Sequence, residues 1–171
     1  MALRRVRAED FPEAQAMYAD AEVARWINPL PAETDADWLR WAESIRRRGE
    51  GLLQVIADAG SDEFLGEIIV MPRGPQRVEL GYVVGPAARG RGVATLAVQL
   101  VTAWAFDALA VKRVELSVSP DNSASNRVAE KAGFTREGVL RAYWLHRPTG
   151  IRHDSVAYSR LPGDPQPDSG Q

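Results

Sequence analysis

The sequence predicts an α+β domain on a mixed, mostly antiparallel twisted sheet of about seven strands with about four helices, and three observations carry that prediction. Three β-rich runs, 52–57, 64–71 and 77–84, are separated by the turn clusters Gly60-Ser61-Asp62 and Pro72-Arg73-Gly74-Pro75, which reads as an antiparallel meander. A glycine loop then opens the strongest helical periodicity in the chain, Val93, Leu96, Ala97, Leu100, Val101, Trp104 and Ala105, and the alternating run Arg113 to Val118 follows it. Strand, helix, strand implies one parallel crossover. Two last strands, 135–140 and 153–160, follow a short helix from about Ser123 to Ala132 that stops at Gly133.

Taken from the beginning, Leu3 to Val6 forms a short first strand, and Asp10 with Pro12 opens a helix whose apolar side is Phe11, Ala14, Tyr18 and Ala21. The break Asn28-Pro29-Leu30-Pro31 separates it from Thr34-Asp35-Ala36-Asp37, an N-cap box for a helix with Trp38, Trp41, Ala42 and Ile45 on its inner face. Arg46, Arg47 and Arg48 close that helix before Gly49; they form an anion patch or, more simply, complement the helix dipole. Trp38, Trp41 and Trp104 all read as core. The domain is expected to span 1–161, with 162–171 a polar Pro/Gly-rich tail that carries no fold.

Composition narrows the chemistry. The 171 residues include 21 Lys+Arg and 23 Asp+Glu, a formal charge of −2, which argues against a dedicated nucleic-acid binder. The absence of cysteine removes disulfides, thiol nucleophiles, iron–sulfur clusters and Cys-ligated zinc, and with only His146 and His153 no imidazole metal site is expected. No stretch reads as a signal peptide or membrane helix, so the expected compartment is the cytoplasm.

The loop Arg89-Gly90-Arg91-Gly92-Val93-Ala94 lies between a strand and a helix, where unpaired N–H groups and the positive helix end converge on an anion. A glycine pair there is also a common tight turn. Val93 and Ala94 stand where a P-loop needs Lys, so ATP hydrolysis is not expected. A dinucleotide reading, with Glu115 as the acidic partner, fails because Glu115 is mid-strand and too little chain remains for further parallel units.

Together with Val78-Glu79-Leu80-Gly81-Tyr82-Val83-Val84 before it and Pro120-Asp121-Asn122-Ser123-Ala124-Ser125 and Glu130-Lys131-Ala132-Gly133-Phe134 after it, that loop resembles the GCN5-related N-acetyltransferases. More narrowly it is similar to their RimJ/RimL-like branch, which acetylates ribosomal-protein N-termini. The resemblance covers about residues 1–161 and implies the GNAT fold, with the fourth and fifth strands parallel and splayed. It implies acetyl-CoA as cosubstrate and an amine acceptor, in a monomer or homodimer, with no metal. The cofactor would lie along Tyr82, Val83 and Val84, with its diphosphate on Arg89, Gly90, Arg91, Gly92, Val93, Ala94 and Thr95, and with Asn122, Ser125 and Arg127 beside it.

Acyl transfer to an amine needs a base, an oxyanion donor and help for the leaving thiolate. The N–H near Val84 is the family's usual oxyanion donor. Many relatives supply a Tyr to the thiolate, but the aligning residue here is Ala129. Ser125 is assigned that bond, or merely caps its helix. Glu79 is the first candidate for the base, or an ordinary paired strand carboxylate; Glu67 is the reserve. The acceptor side is expected to include Trp26, Asn28, Glu67, Tyr143 and His146, with Trp144 beside them. An α-amine near pKa ~7.8 is about 3.5 kcal/mol easier to deprotonate than a lysine near ~10.4, which favours a peptide N-terminus or small α-amine. The alternatives are an antibiotic or small-amine acetyltransferase and a catalytically silent acyl-CoA-binding module.

Overall fold

Seven strands pair in the order β1-β2-β3-β4-β5-β7-β6 in the computed structural model, which describes residues 1–165 and 167. The elements run β1 (Ala2–Arg4), α1 (Phe11–Ala19), α2 (Ala21–Trp26), α3 (Asp35–Arg47), β2 (Leu52–Ala57), β3 (Phe64–Pro72), β4 (Arg77–Val84), α4 (Val93–Ala108), β5 (Arg113–Val118), α5 (Ser123–Lys131), β6 (Thr135–His146) and β7 (Ile151–Arg160). Among the described residues only β4 and β5 pair in parallel, and α4 joins them.

Alternation along the strands sorts the core into two layers. Ile56, Ile68, Val70, Val78, Leu80, Val114, Leu116, Val156 and Tyr158 meet Val93, Ala97, Val98, Val101 and Ala105 of α4 on one face. On the other, Leu53, Val55 and Ala57 meet Ala14 of α1 and Trp38, Ala42 and Ile45 of α3. Thr34 caps α3 by accepting the Asp37 amide, as its sequence box predicts. Arg4 pins the β1 edge through a bidentate pair with buried Asp10, both bonds 2.7 Å.

Three expectations need correction. The first helix is two helices, because Asp20 turns extended (φ −61°, ψ 130°) and its carboxylate caps a new start by accepting the Val23 amide at 3.1 Å; the α-helices among the described residues therefore number five. The last strands are longer than their alternation suggests, since shifts at Arg136/Gly138 and Leu140/Trp144 break the period of two. Trp104 is 37% exposed, one turn beyond the outward-facing Leu100, rather than core. At the start of the tail, Asp164 Oδ2 accepts the Leu161 amide at 2.8 Å and Pro165 O accepts from Arg160 at 3.4 Å. Residues 166 and 168–171 of that tail lie outside the described residues.

Candidate active site

The parallel ladder between β4 and β5 has three pairs, Arg77–Arg113, Val78–Val114 and Glu79–Glu115, and then the strands part. Each keeps its other neighbour. β4 stays paired with β3 as far as Gly66–Val84, and β5 with β7 as far as Val118–Val156. The inner edges of Leu80–Val84 and Leu116–Val118 therefore face each other across a cleft of about 970 Å³. Such an edge presents a row of main-chain donors and acceptors to whatever extended molecule enters.

One end of this cleft is the start of α4. Gly90 and Gly92 have φ +72° and +74°, and Val93 begins the helix immediately after Gly92. A Cβ on either glycine would meet open space, so within the protein it is the left-handed backbone, not crowding, that calls for glycine. The first main-chain bond of the helix runs from Leu96 N to Gly92 O at 3.0 Å, which leaves the amides of Val93, Ala94 and Thr95 as the N-terminal donors of a 16-residue helix at the cleft wall. The two arginines of the loop behave differently. Arg89 lines the cleft but is paired with Asp20, whose carboxyl it holds below the usual range. Arg91 bonds Ala87 O at 3.4 Å and is not part of the wall.

Ser125 sits in the first turn of α5, where Asn122 caps the helix by accepting its amide at 3.0 Å. Its hydroxyl is 2.6 Å from the phenol oxygen of Tyr82. Burial pushes the Tyr82 hydroxyl up to about 12, against the lowering effect of the Ser125 bond. Asn122, Ser125 and Arg127 all line the cleft, and Lys131, one turn beyond Arg127, extends the basic side of α5. Ala129, where many relatives carry tyrosine, is fully buried beneath the sheet.

The opposite wall is made by α2 and the β6–β7 hairpin. Trp26, Asn28 and Tyr143 line it. Asn28 ties the two elements together, accepting the Arg147 amide at 2.8 Å and donating to Leu145 O at 3.4 Å. Glu79 lies between the walls, largely buried, and accepts from Arg73 Nε at 2.7 Å.

Glu67 and His146 do not reach the cleft. Glu67 stands opposite Val83 but is 2% exposed, because Tyr18 of α1 covers it and donates to its Oε2 at 3.0 Å. Its Oε1 has no partner among the described residues, and burial pushes the carboxyl up to about 7. His146 is turned into the hairpin, with Nδ1 2.8 Å from Thr149 Oγ1 and its ring against Trp144 at 5.4 Å. Conversely, Arg73, Lys131, Arg147, Arg152 and Asp154 line the cleft without having been anticipated. None carries a sequence signal beyond its charge; only Lys131, spaced four from Arg127, was open to a helical-face argument.

Residues 1–135 match the acetyltransferase (GNAT) domain family. Uncharacterized N-acetyltransferase YoaA of Bacillus subtilis is 28% identical over 162 residues, 92% of this chain and 90% of its own. L-amino acid N-acetyltransferase AaaT of Escherichia coli is 27% identical over 147 residues, 84% of this chain and 88% of its own. Among solved structures, Mycobacterium smegmatis RimJ in complex with CoA-disulfide shares the fold at a TM-score of 0.81, covering 94% of this chain and 81% of that one at 24% identity. No helix among the described residues is long and apolar enough to cross a membrane. Since the family match runs from β1 to the first residue of β6 and so takes in both splayed strands and the helix between them, this chain belongs to the GNAT family of acetyltransferases and is an N-acetyltransferase.

Proposed function

We propose that this enzyme transfers the acetyl group of acetyl-CoA to a primary amine, a peptide N-terminal α-amine or an α-amino small molecule, by direct attack in a ternary complex. The observation that carries the reading is the three-pair ladder between β4 and β5, which leaves two strand edges open onto the N-terminus of α4. Pantetheine has two amides, which suit a strand edge, and a diphosphate suits the amides of Val93, Ala94 and Thr95. Arg127 and Lys131 add positive charge on the same cleft.

Within that complex the residues divide the work. The amide near Val84 donates to the developing oxyanion. Ser125 donates to the leaving sulfur in place of the tyrosine that Ala129 replaces. Glu79 takes the ammonium proton, directly or through water, with Arg73 fixing its carboxylate. Glu67 is reassigned from base to buried support, since α1 separates it from the cleft. Trp26, Asn28 and Tyr143 frame the amine, and His146 acts through the shape of the hairpin. An α-amine suits a site with a single carboxylate base better than a lysine, by the margin of about 3.5 kcal/mol in deprotonation.

Calorimetric titration with CoA, followed by thiol release from acetyl-CoA with N-terminal peptides, free amino acids and polyamines, tests the reading. Binding in the micromolar range and turnover with at least one α-amine are expected. Absence of heat with CoA overturns it. Glu79→Gln is expected to lower kcat/KM by about 10²-fold or more; an unchanged kcat/KM removes Glu79 from the role.

A further inference from the structure

The hydroxyl behind Ser125 has a choice of partners. Tyr82 belongs to the β4 series that faces α4 and α5, and its phenol oxygen lies 2.6 Å from Ser125 Oγ and 3.3 Å from Ser125 O. Each hydroxyl owns one proton. In one arrangement the serine donates to the phenol oxygen and the phenol donates to the Ser125 carbonyl. In the other the phenol donates to Oγ, and the serine proton must point elsewhere. Ser125 lines the cleft, so the direction left open is toward a ligand there. The two arrangements interchange by rotating two O–H bonds while every heavy atom stays put. The Ser125 main chain is held by Asn122, which accepts its amide at 3.0 Å.

We propose that Tyr82 is a positioning residue for the leaving group: as the thioester C–S bond breaks, its hydroxyl reverses direction and donates to Ser125 Oγ, which turns the serine proton onto the sulfur. The inference rests on the acetyl-CoA reading above. In the step, the amine lone pair forms the C–N bond, the C–S pair stays on sulfur as thiolate, and the ammonium proton leaves to Glu79 or water. Tyr82 and Ser125 each keep their own proton. Only hydrogen-bond direction changes, and the sulfur gains a charge-assisted bond that was absent in the thioester, which is stabilisation confined to the developing charge. A phenol held up to about 12 by burial stays protonated through the step and so remains a donor.

The test is made on the binary complex with CoA, whose free thiol stands for the leaving group. Calorimetry gives the affinity, and thiolate absorbance against pH gives the acidity of the bound thiol. Tyr82→Phe keeps the ring and is expected to bind CoA within about threefold of wild type while raising the bound thiol pKa toward its value in free solution. Ser125→Ala is expected to raise it as far, and the double variant no further than either, since the two act as one unit. In turnover Tyr82→Phe is expected to lose about tenfold in kcat with KM values little changed. Incorporation of 3-fluorotyrosine at position 82, a stronger donor of the same shape, is expected to move the thiol pKa the opposite way, below wild type, which keeps the test decisive should Tyr82→Phe fold poorly. A thiol pKa unmoved in either variant that still binds CoA overturns the inference. Failure of the wild-type enzyme to bind CoA at all overturns the acetyl-CoA reading instead.

Discussion

Toward α4 the cleft is built from main chain: two open strand edges, a left-handed glycine pair and the first amides of a 16-residue helix. Toward the β6–β7 hairpin it is built from side chains, Trp26, Asn28, Tyr143, Arg147 and Arg152, on a strand pair with two register shifts and a left-handed Ala142. Main-chain sites recognise what every molecule of one class shares, under the proposed function an amide-bearing arm and a diphosphate. Side-chain sites recognise particulars. On that reading the cofactor half is a property of the fold, and the acceptor half a property of this sequence.

The largest effect expected from probing that contrast concerns the carboxyl that lies behind both halves. Glu67 in the folded protein titrates near 7, raised by burial from an ordinary value near 4.3. The folded state then holds a proton that the unfolded state has lost between those values, so stability is greatest below about pH 4.3 with respect to this group and falls as pH rises to about 7. The loss is on the order of 3 kcal/mol. Glu67→Gln, which still accepts the Tyr18 bond, is expected to flatten that slope in urea denaturation and to leave the pH–rate profile unshifted. A profile that moved with Glu67→Gln would put this carboxyl back in the chemistry.

Next in size is Gly66→Ala on β3. A Cβ there would stand 2.2 Å from Val83 O and 2.9 Å from Val84 Cα, main-chain atoms that cannot swing aside. We expect a destabilisation of about 1–3 kcal/mol and a loss of CoA affinity of tenfold or more, equal for every amine tested, because the displaced strand is the edge proposed to hold the cofactor. If thermal melting and calorimetry find CoA affinity intact, the strand edge is not what holds the cofactor.

The acceptor half should respond differently. Asn28→Ala removes two bonds between the α2–α3 connection and the hairpin, worth about 1 kcal/mol together in a half-exposed setting. Expected is a severalfold rise in KM for the amine with the Kd for CoA unchanged. A matching loss of CoA affinity would erase the distinction between the halves. Smallest is Trp104→Gln on the outer side of α4: partial exposure limits its cost to about 1 kcal/mol, with both substrates unaffected.

The same contrast explains what could be read in advance. Periodicity exposed the helix from Val93 and the meander of β2 to β4, and the Gly90–Gly92 pair marked the helix start, because these features repeat a local rule over several residues. Asp20 hid a helix break, since one capping carboxylate looks like any acidic surface residue until its φ and ψ are known. The bulges of β6 hid the length of the hairpin by shifting the alternation mid-strand. Glu79 and Glu67 share a sheet face and a residue type, yet only packing by Tyr18 separates the buried one from the one on the cleft. Tyr82 was legible as a residue of β4; the 2.6 Å approach of its hydroxyl to Ser125 depends on how α5 packs and had no sequence signal.

The short parallel ladder carries one last consequence under the proposed reading. A cosubstrate that lies between β4 and β5 acts as a removable strand, and its release after each turnover hands the same row of peptide groups back to water. Catalysis in this enzyme is then also a cycle of drying and rewetting along Leu80–Val84, in which solvent competes for every main-chain bond that the arm makes. The looser grip that results is what lets the spent thiol leave.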